Sequence, residues 1–278
     1  MANSRKSGDN FEYHITKALI DYNSKLEWYD EKSKIKLNKL KEKITNDDIN
    51  LTKNKLTKLF QYLQIDKYTK IKFTQDNDGK KNNVSDIELY DNDGNKIGFS
   101  LKKNNISIKH PRPSSFDKQC NLNEATSKEY KESYAKINNI LYEINKKSGT
   151  FDKISKDDKN KLYLEINNNT KKYLEILSSD EVHAFWKFLI NYEHVYILQY
   201  DTNKKQIILY NYIDIPDPKT IKSIKVEDNH IIICFDNDIN IDLRLHNASK
   251  KITKTLSLKY DTKILNHEKL FTHCIYEL

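Results

Sequence analysis

Val84–Asn104 reads VSDIELYDNDGNKIGFSLKKN, two alternating segments joined by a tight turn at Asn92-Asp93-Gly94-Asn95. Asp-Gly between alternating apolar runs is the short-range signature of a β-hairpin. Side chains alternate faces along a strand, so Asp86 and Glu88 are expected on one face of the first strand, and Gly98, Ser100 and Lys102 on one face of the second. Pairing the strands brings Asp86 toward Lys102. Lys103 points the opposite way and suits solvation or a phosphate contact.

Outward from the hairpin the chain is helical before it and largely strand-like well after it. Asp9 or Asn10 is placed to cap a helix carrying Phe11, Ile15, Leu19, Tyr22 and Leu26 at helical spacing. A second amphipathic helix is expected near 47–63, with Leu51, Leu56, Leu59, Phe60 and Leu63 inward, and Tyr68–Thr74 reads as the first strand. Pro111 and Pro113 close the strand region, because proline lacks an amide donor and biases its predecessor away from helix. Long polar helices follow near 123–147 and 157–177, then an aromatic-rich helix over 180–191 with Phe185, Trp186 and Phe188. From His194 the period becomes two: HVYILQYD, QIILYNYIDI, IKSIKVED, HIIICFD, INIDLRLH and KTLSLKYD. Without a Gly/Ser- or Pro-rich linker, the expected architecture is one α+β domain over 1–278: a helical arm (1–66), a hairpin core (67–116), a helical region (117–192) and a β-rich lobe (193–278).

An acid, a small polar residue and a lysine on paired strands are what metal-dependent phosphodiester hydrolysis needs. The carboxylate holds a divalent cation, and the lysine orients or activates water beside a phosphate. Asp-x(13)-Ser-x-Lys is nevertheless short, and a solvated hairpin with a charged outer face is the plain alternative.

Asp86 followed by Ser100-Leu101-Lys102 resembles the PD-(D/E)xK nuclease superfamily, with Ser100 standing where that pattern carries an acid. The departure puts the second metal ligand in doubt. Glu88 could supply it, as could Glu12, since the resemblance implies an acid brought from an N-terminal helix; Glu12 is equally a helix-start acid favoured by the macrodipole. Ser100 then either holds a metal-bound water or is a small strand residue.

Two further blocks extend the likeness. Ile106–Ser115 (ISIKHPRPSS) follows the hairpin, and Leu243–Ser249 (LRLHNAS) precedes Thr255–Asp261 (TLSLKYD). Together with SDIELY…GFSLKKN they resemble type II restriction endonucleases of the HaeIII kind, over about a quarter of the chain. The resemblance implies a PD-(D/E)xK-like core of mixed sheet flanked by helices, Mg2+ as cofactor, double-stranded DNA as substrate and GGCC as recognition sequence. It also implies a homodimer and a cognate DNA methyltransferase as genetic partner. In that reading Asp86 binds the metal with Glu88 or Glu12, and Lys102 aligns the water.

DNA contacts are expected from Lys109, His110, Arg112, Arg244, His246, Asn247 and Lys259. Arginine can make paired bonds to guanine O6 and N7. The chain's only arginines are Arg5, Arg112 and Arg244, so two fall inside the family-like blocks. The plain alternatives are surface cations paired to acids, and a turn at His246-Asn247. A non-catalytic basic DNA-binding protein and a structure-selective repair nuclease stay open as readings of the whole.

Composition bounds these readings. Lys and Arg number 48 against 40 Asp and Glu, a formal charge of +8, which suits approach to a polyanion without requiring it. Cys120, Cys234 and Cys274 lack zinc-ligand spacing and are expected reduced, with Cys234 buried. No segment reaches the roughly 20 apolar residues of a membrane span, so no membrane partner and a cytoplasmic location are expected. The alternation of Tyr196, Tyr200, Tyr210 and Tyr212 with Ile and Leu favours core packing over base stacking, and Trp186 is expected in the core. No GK[ST] loop implies ATP.

Overall fold

The protein is described from a computed structural model covering residues 2–44, 51–74, 84–104, 106, 108–190, 195–254 and 256–278, with side chains from residue 8 onward. The start of the expected 47–63 helix, Ser107, Thr255 and the 191–194 stretch lie outside the described residues. The fold is mixed α+β with two sheets, and its internal contacts divide it into two interleaved compact units: 1–106, 191–213 and 271–278 form the first, 107–190 and 214–270 the second. The boundaries expected at 66, 116 and 192 do not coincide with these units. The expected β-rich lobe is shared between them, because strand pairing joins segments far apart in sequence.

The first unit holds a seven-stranded sheet: β1 (Glu27–Trp28), β2 (Lys70–Phe73), β3 (Ile87–Tyr90), β4 (Lys96–Lys103), β5 (Val195–Asp201), β6 (Gln206–Tyr212) and β11 (Phe271–Glu277), hydrogen-bonded in that order. β2, β3 and β4 form an antiparallel meander, and β4 pairs in parallel with β5. A parallel neighbour requires a long crossover, and the whole of 107–190 lies within it. β1 precedes the strand expected to be first, and β11 supplies an edge the sequence reading did not include.

Three helices pack on one face of this sheet: α1 (Ala2–Tyr22), α2 (Glu31–Lys43) and α3 (Lys53–Tyr62). Phe11, Ile15 and Leu19 of α1 and Leu56, Leu59 and Phe60 of α3 meet Ile71, Phe73, Ile87, Leu89 and Phe99 in one core, and Leu51 and Leu63 join them as expected. Asp9 and Asn10 lie inside α1 and not at its cap, and Leu26 lies beyond its end. α2 has little apolar stripe, and of its residues only Ser33 and Leu40 are buried. It is fixed instead by polar bonds: Asp30 caps it by accepting from the Ser33 amide at 2.7 Å, and Ser33 Oγ accepts from the Phe73 amide at 3.0 Å.

In the second unit, β7 (Ile221–Glu227), β8 (His230–Phe235), β9 (Asn240–Asn247) and β10 (Leu258–Ile264) form an antiparallel sheet in the order β10-β9-β8-β7. Its buried face presents Ile231, Ile233, Phe235, Ile241, Leu243, Leu245, Leu258 and Tyr260. The unit's helices are α4 (Phe116–Gln119), α5 (Glu124–Asn145), α6 (Lys156–Leu174) and α7 (Ser179–Leu189), of which α6 packs on β7, β8 and β9. The last three follow the expected segments, and Ser178 and Glu181 close a capping box on α7. Trp186 is fully buried, with its indole N–H donated to Asp217 at 2.8 Å. Tyr200 and Tyr210 are buried as expected for core packing. Cys120 is the buried cysteine, whereas Cys234 is only partly covered because it falls on the outward register of β8. Among the described residues no helix is long and apolar enough to cross a membrane.

Candidate functional site

β3 begins at Ile87, so Asp86 sits in a bend before the strand, and alternation does not fix its direction as the sequence reading assumed. Backbone bonds fix it: the Asp86 amide donates to Phe99 O at 2.7 Å, and its carbonyl accepts from the Thr74 amide at 3.1 Å. The Asp86 carboxylate then takes the place of the missing ladder partner and accepts from the Leu101 amide at 2.7 Å through Oδ2. The acid is thereby locked onto the residue between Ser100 and Lys102. Its Oδ1 accepts no hydrogen bond among the described residues.

Ser100 and Lys102 share one pleat face of β4, and the register sets them beside Ile197 and Gln199 of β5. The Ser100 hydroxyl is fully buried and has no hydrogen-bond partner among the described residues, a costly state for a hydroxyl. Lys102 is partly exposed and makes no ion pair among the described residues.

Close approach in this hairpin depends on Gly98, which sits opposite Glu88. A Cβ there would fall 2.8 Å from Ser85 Cβ, immediately before Asp86. Gly94 occupies the left-handed region (φ +84°) that the turn requires.

Glu12 arrives from α1. Burial pushes its carboxyl above the ordinary value; Lys36 pulls it back, and the Asp86 charge raises it again. Lys36 Nζ lies 3.0 Å from Glu12 Oε2 as an ion pair, yet Oε2 is sealed from solvent and accepts no well-aligned hydrogen bond among the described residues. Two acids that repel one another are thus held at one end of the sheet. Oxygen donors of this kind are what a hard divalent cation takes.

Glu88 is not gathered into this set. It is buried further along β3, with Oε1 accepting from Lys96 Nζ and Oε2 from the Tyr90 hydroxyl, both at 2.7 Å. Its expected role as a metal ligand is therefore replaced by a structural one: a buried carboxylate must be partnered, and a lysine and a tyrosine already do so. Among the described residues there is no group of three His, Cys, Asp or Glu side chains suited to a metal.

Beside Glu12 opens a cleft of about 810 Å³, lined by α1, by α2 and by Phe73 and Thr74 at the end of β2. The sequence reading did not mark α2, because its apolar signal is weak. Its lysines at helical spacing were the available sign.

In the second unit four of the expected DNA-contacting residues converge on one carboxylate, Asp261. Arg244 Nη2 lies 2.8 Å from Oδ2, and His246 Nε2 2.9 Å, Lys259 Nζ 3.7 Å and His110 Nδ1 3.8 Å from Oδ1. The β9–β10 register explains most of this, setting Asp261 opposite Arg244 and Lys259 opposite His246 on the outward face. His110 comes alongside because the segment before α4 runs against β10, with the Tyr260 amide donating to Pro111 O at 2.8 Å. Partial burial alone would raise the Asp261 carboxyl, but the hydrogen bond from Arg244 and the His246 imidazole together hold it below its ordinary value. The available signal for Asp261 was an acid set among Arg244, His246 and Lys259 in alternating register.

The remaining candidates stand apart from that ring. Asn247 closes a turn, its side chain bonded to the backbone of Ser249, so the turn reading of His246-Asn247 holds for Asn247. Arg112 is exposed. Lys109 stacks its ammonium 4.6 Å from the Phe188 ring, and burial draws its pKa down to about 8. No protein-family model, no curated protein and no solved structure matches the chain.

Proposed function

We propose that the protein is a Mg2+-dependent endonuclease of the PD-(D/E)xK kind, acting on double-stranded DNA as a type II restriction enzyme. The observation that carries this reading is the Asp86 carboxylate, bonded to the amide between Ser100 and Lys102 and near enough to Glu12 for its charge to raise that carboxyl. The antiparallel β2-β3-β4 meander with β5 parallel to β4 supports the same reading. Magnesium usually binds through one or two carboxylates, with water and phosphate oxygens completing its shell. Asp86, aided by Glu12, fits that requirement, and the Ser100 hydroxyl, without a partner among the described residues, would hydrogen-bond a water in this reading.

Bound at these acids, the metal would supply charge neutralisation at the phosphate and a more acidic water. The chain's own residues do the rest. Lys102, unpaired among the described residues, orients the attacking water and stabilises charge developing on the phosphate. The Leu101 amide keeps one Asp86 oxygen occupied, which would leave the other to hold the cation. Arg244, His246, His110 and Lys259 present a net positive surface to DNA, with Asp261 holding Arg244 in place. A homodimer and a protecting methyltransferase belong to this reading, since symmetric sites suit symmetric enzymes.

A non-catalytic DNA-binding protein is the second reading, favoured by the lack of a three-acid group among the described residues. Digestion of unmethylated phage DNA with and without Mg2+ separates the readings. Discrete Mg2+-dependent fragments are expected, and their sequencing tests GGCC as the site. Random or branch-selective cutting indicates a repair nuclease, and intact DNA that is still shifted in a gel indicates binding alone.

A further inference from the structure

α2 carries Lys32, Lys36, Lys39 and Lys43, spaced +4, +7 and +11. At 3.6 residues per turn these positions fall within about 60° of one another on one helix face, and all four line the cleft beside Glu12. Two are already engaged with acids: Lys36 with Glu12 and Lys43 with Asp9 at 3.1 Å. Lys32 and Lys39 are exposed and have no ion pair among the described residues. Lysines held this close repel one another, and no packing requirement places them here, since α2 is anchored by Leu40 and Ser33.

We propose that this face of α2 is a binding track for the phosphodiester backbone of duplex DNA, leading to the Asp86–Glu12 end of the sheet. The proposal rests on the nuclease reading and adds to it a contact surface on the first unit. From Lys32 to Lys43 the helix rises about 16 Å, enough to follow roughly five phosphates of one strand at about 3.4 Å of axis each. A single phosphate would leave most of the track unfilled. Glu12, whose carboxyl feels the Asp86 charge, also lines the cleft, so a strand lying on the lysines runs past that acid. Lys36 has a double position: its Nζ lies 4.5 Å from the Phe73 ring centre while it pairs with Glu12. It is therefore held at the cleft floor, whereas Lys32 and Lys39 are free to reach outward.

Opposite faces of the same helix provide the test. Lys34 and Lys41 are exposed and lie outside the cleft lining, about 180° from the track. Binding of a fluorescent duplex, measured by anisotropy across a salt series with Ca2+ in place of Mg2+, is compared for wild type, Lys32→Ala/Lys39→Ala and Lys34→Ala/Lys41→Ala. Both double variants remove the same charge from exposed positions, and their Tm values check the fold. The track predicts that log Kd against log [salt] loses about 1.8 of slope in the first variant, about 0.9 per phosphate contact, and little in the second. Equal slopes in wild type and the first variant overturn the track while leaving the nuclease reading standing. Equal losses in both variants also overturn it, because diffuse charge then accounts for binding. A wild type that binds no duplex overturns the track and the nuclease reading together.

Discussion

Asp86, in the bend before β3, and Asp261, on β10, are both carboxylates fixed by neighbouring strands, and their surroundings are opposite. Asp86 is bonded to a backbone amide, and its charge raises the carboxyl of a second acid, Glu12, against the pull of Lys36. Asp261 is ringed by Arg244, His246, His110 and Lys259, so its neighbourhood keeps excess positive charge after one acid is counted. In the proposed function the first arrangement would take a metal ion and the second a polyanion. The contrast shows that an acid's chemistry is decided by what the register sets across from it. At the first, Gly98 lets Ser85 and the bend that carries Asp86 come close to β4, and alternating basic residues on β9 and β10 surround the second.

The largest expected effect falls on the first carboxylate. Asp86→Ala or Lys102→Ala should lower single-turnover cleavage by on the order of a thousandfold, the size of loss seen when a preorganised charge is removed from a transition state. Binding in Ca2+ should change far less, and gel-based time courses read both. Gly98→Ala comes next. The added methyl meets Ser85 at 2.8 Å and must displace the bend that carries Asp86. Overpacking of this sort costs about 1–3 kcal/mol, so urea unfolding should show that loss together with reduced cleavage.

For Asp261, hydrogen bonding holds the folded carboxyl below its ordinary value, so its stabilisation is fully present above the unfolded pKa and is lost as pH falls through the lower folded value. Wild type should therefore lose stability below about pH 4 in a part that Asp261→Asn does not share. At neutral pH the variant should be less stable by about 1 kcal/mol and should bind DNA with altered sequence preference, read by thermal melts and competition binding.

Glu12 gives the smallest effect and the opposite sign. Its carboxyl is raised by burial and by Asp86, so the folded state favours the protonated form. That advantage is complete below the unfolded pKa and disappears as pH rises through the folded value. Glu12→Gln should thus raise Tm by about 2–4 °C at neutral pH while cleavage falls. A lowered Tm would mean that Lys36 outweighs the burial.

Much of the fold could be read from periodicity. The hairpin, the α1 and α3 cores, three later helices and six later strands carry apolar residues at the spacing their burial requires. α2 was not legible because polar caps and a few contacts hold it. β1 is too short to show a period. The division into two units was hidden because β4–β5 and β6–β11 pairing depends on segments distant along the chain. At the candidate site the sequence indicated Asp86, Ser100 and Lys102 together, and Glu12 as a helical acid. It misdirected Glu88, since alternation gives a face but not the partners, Tyr90 and Lys96, that occupy the carboxylate. It also listed the cations of β9 and β10 without the acid that organises them.

The central claim is that hydrolysis resides at Asp86 and DNA affinity at the basic surfaces. Its most direct test is to measure cleavage and binding on the same duplex for Asp86→Asn and Arg244→Ala. The account predicts that Asp86→Asn binds DNA as tightly as wild type and does not cut it, while Arg244→Ala binds more weakly and still cuts at saturating enzyme. Normal cleavage by Asp86→Asn would contradict it.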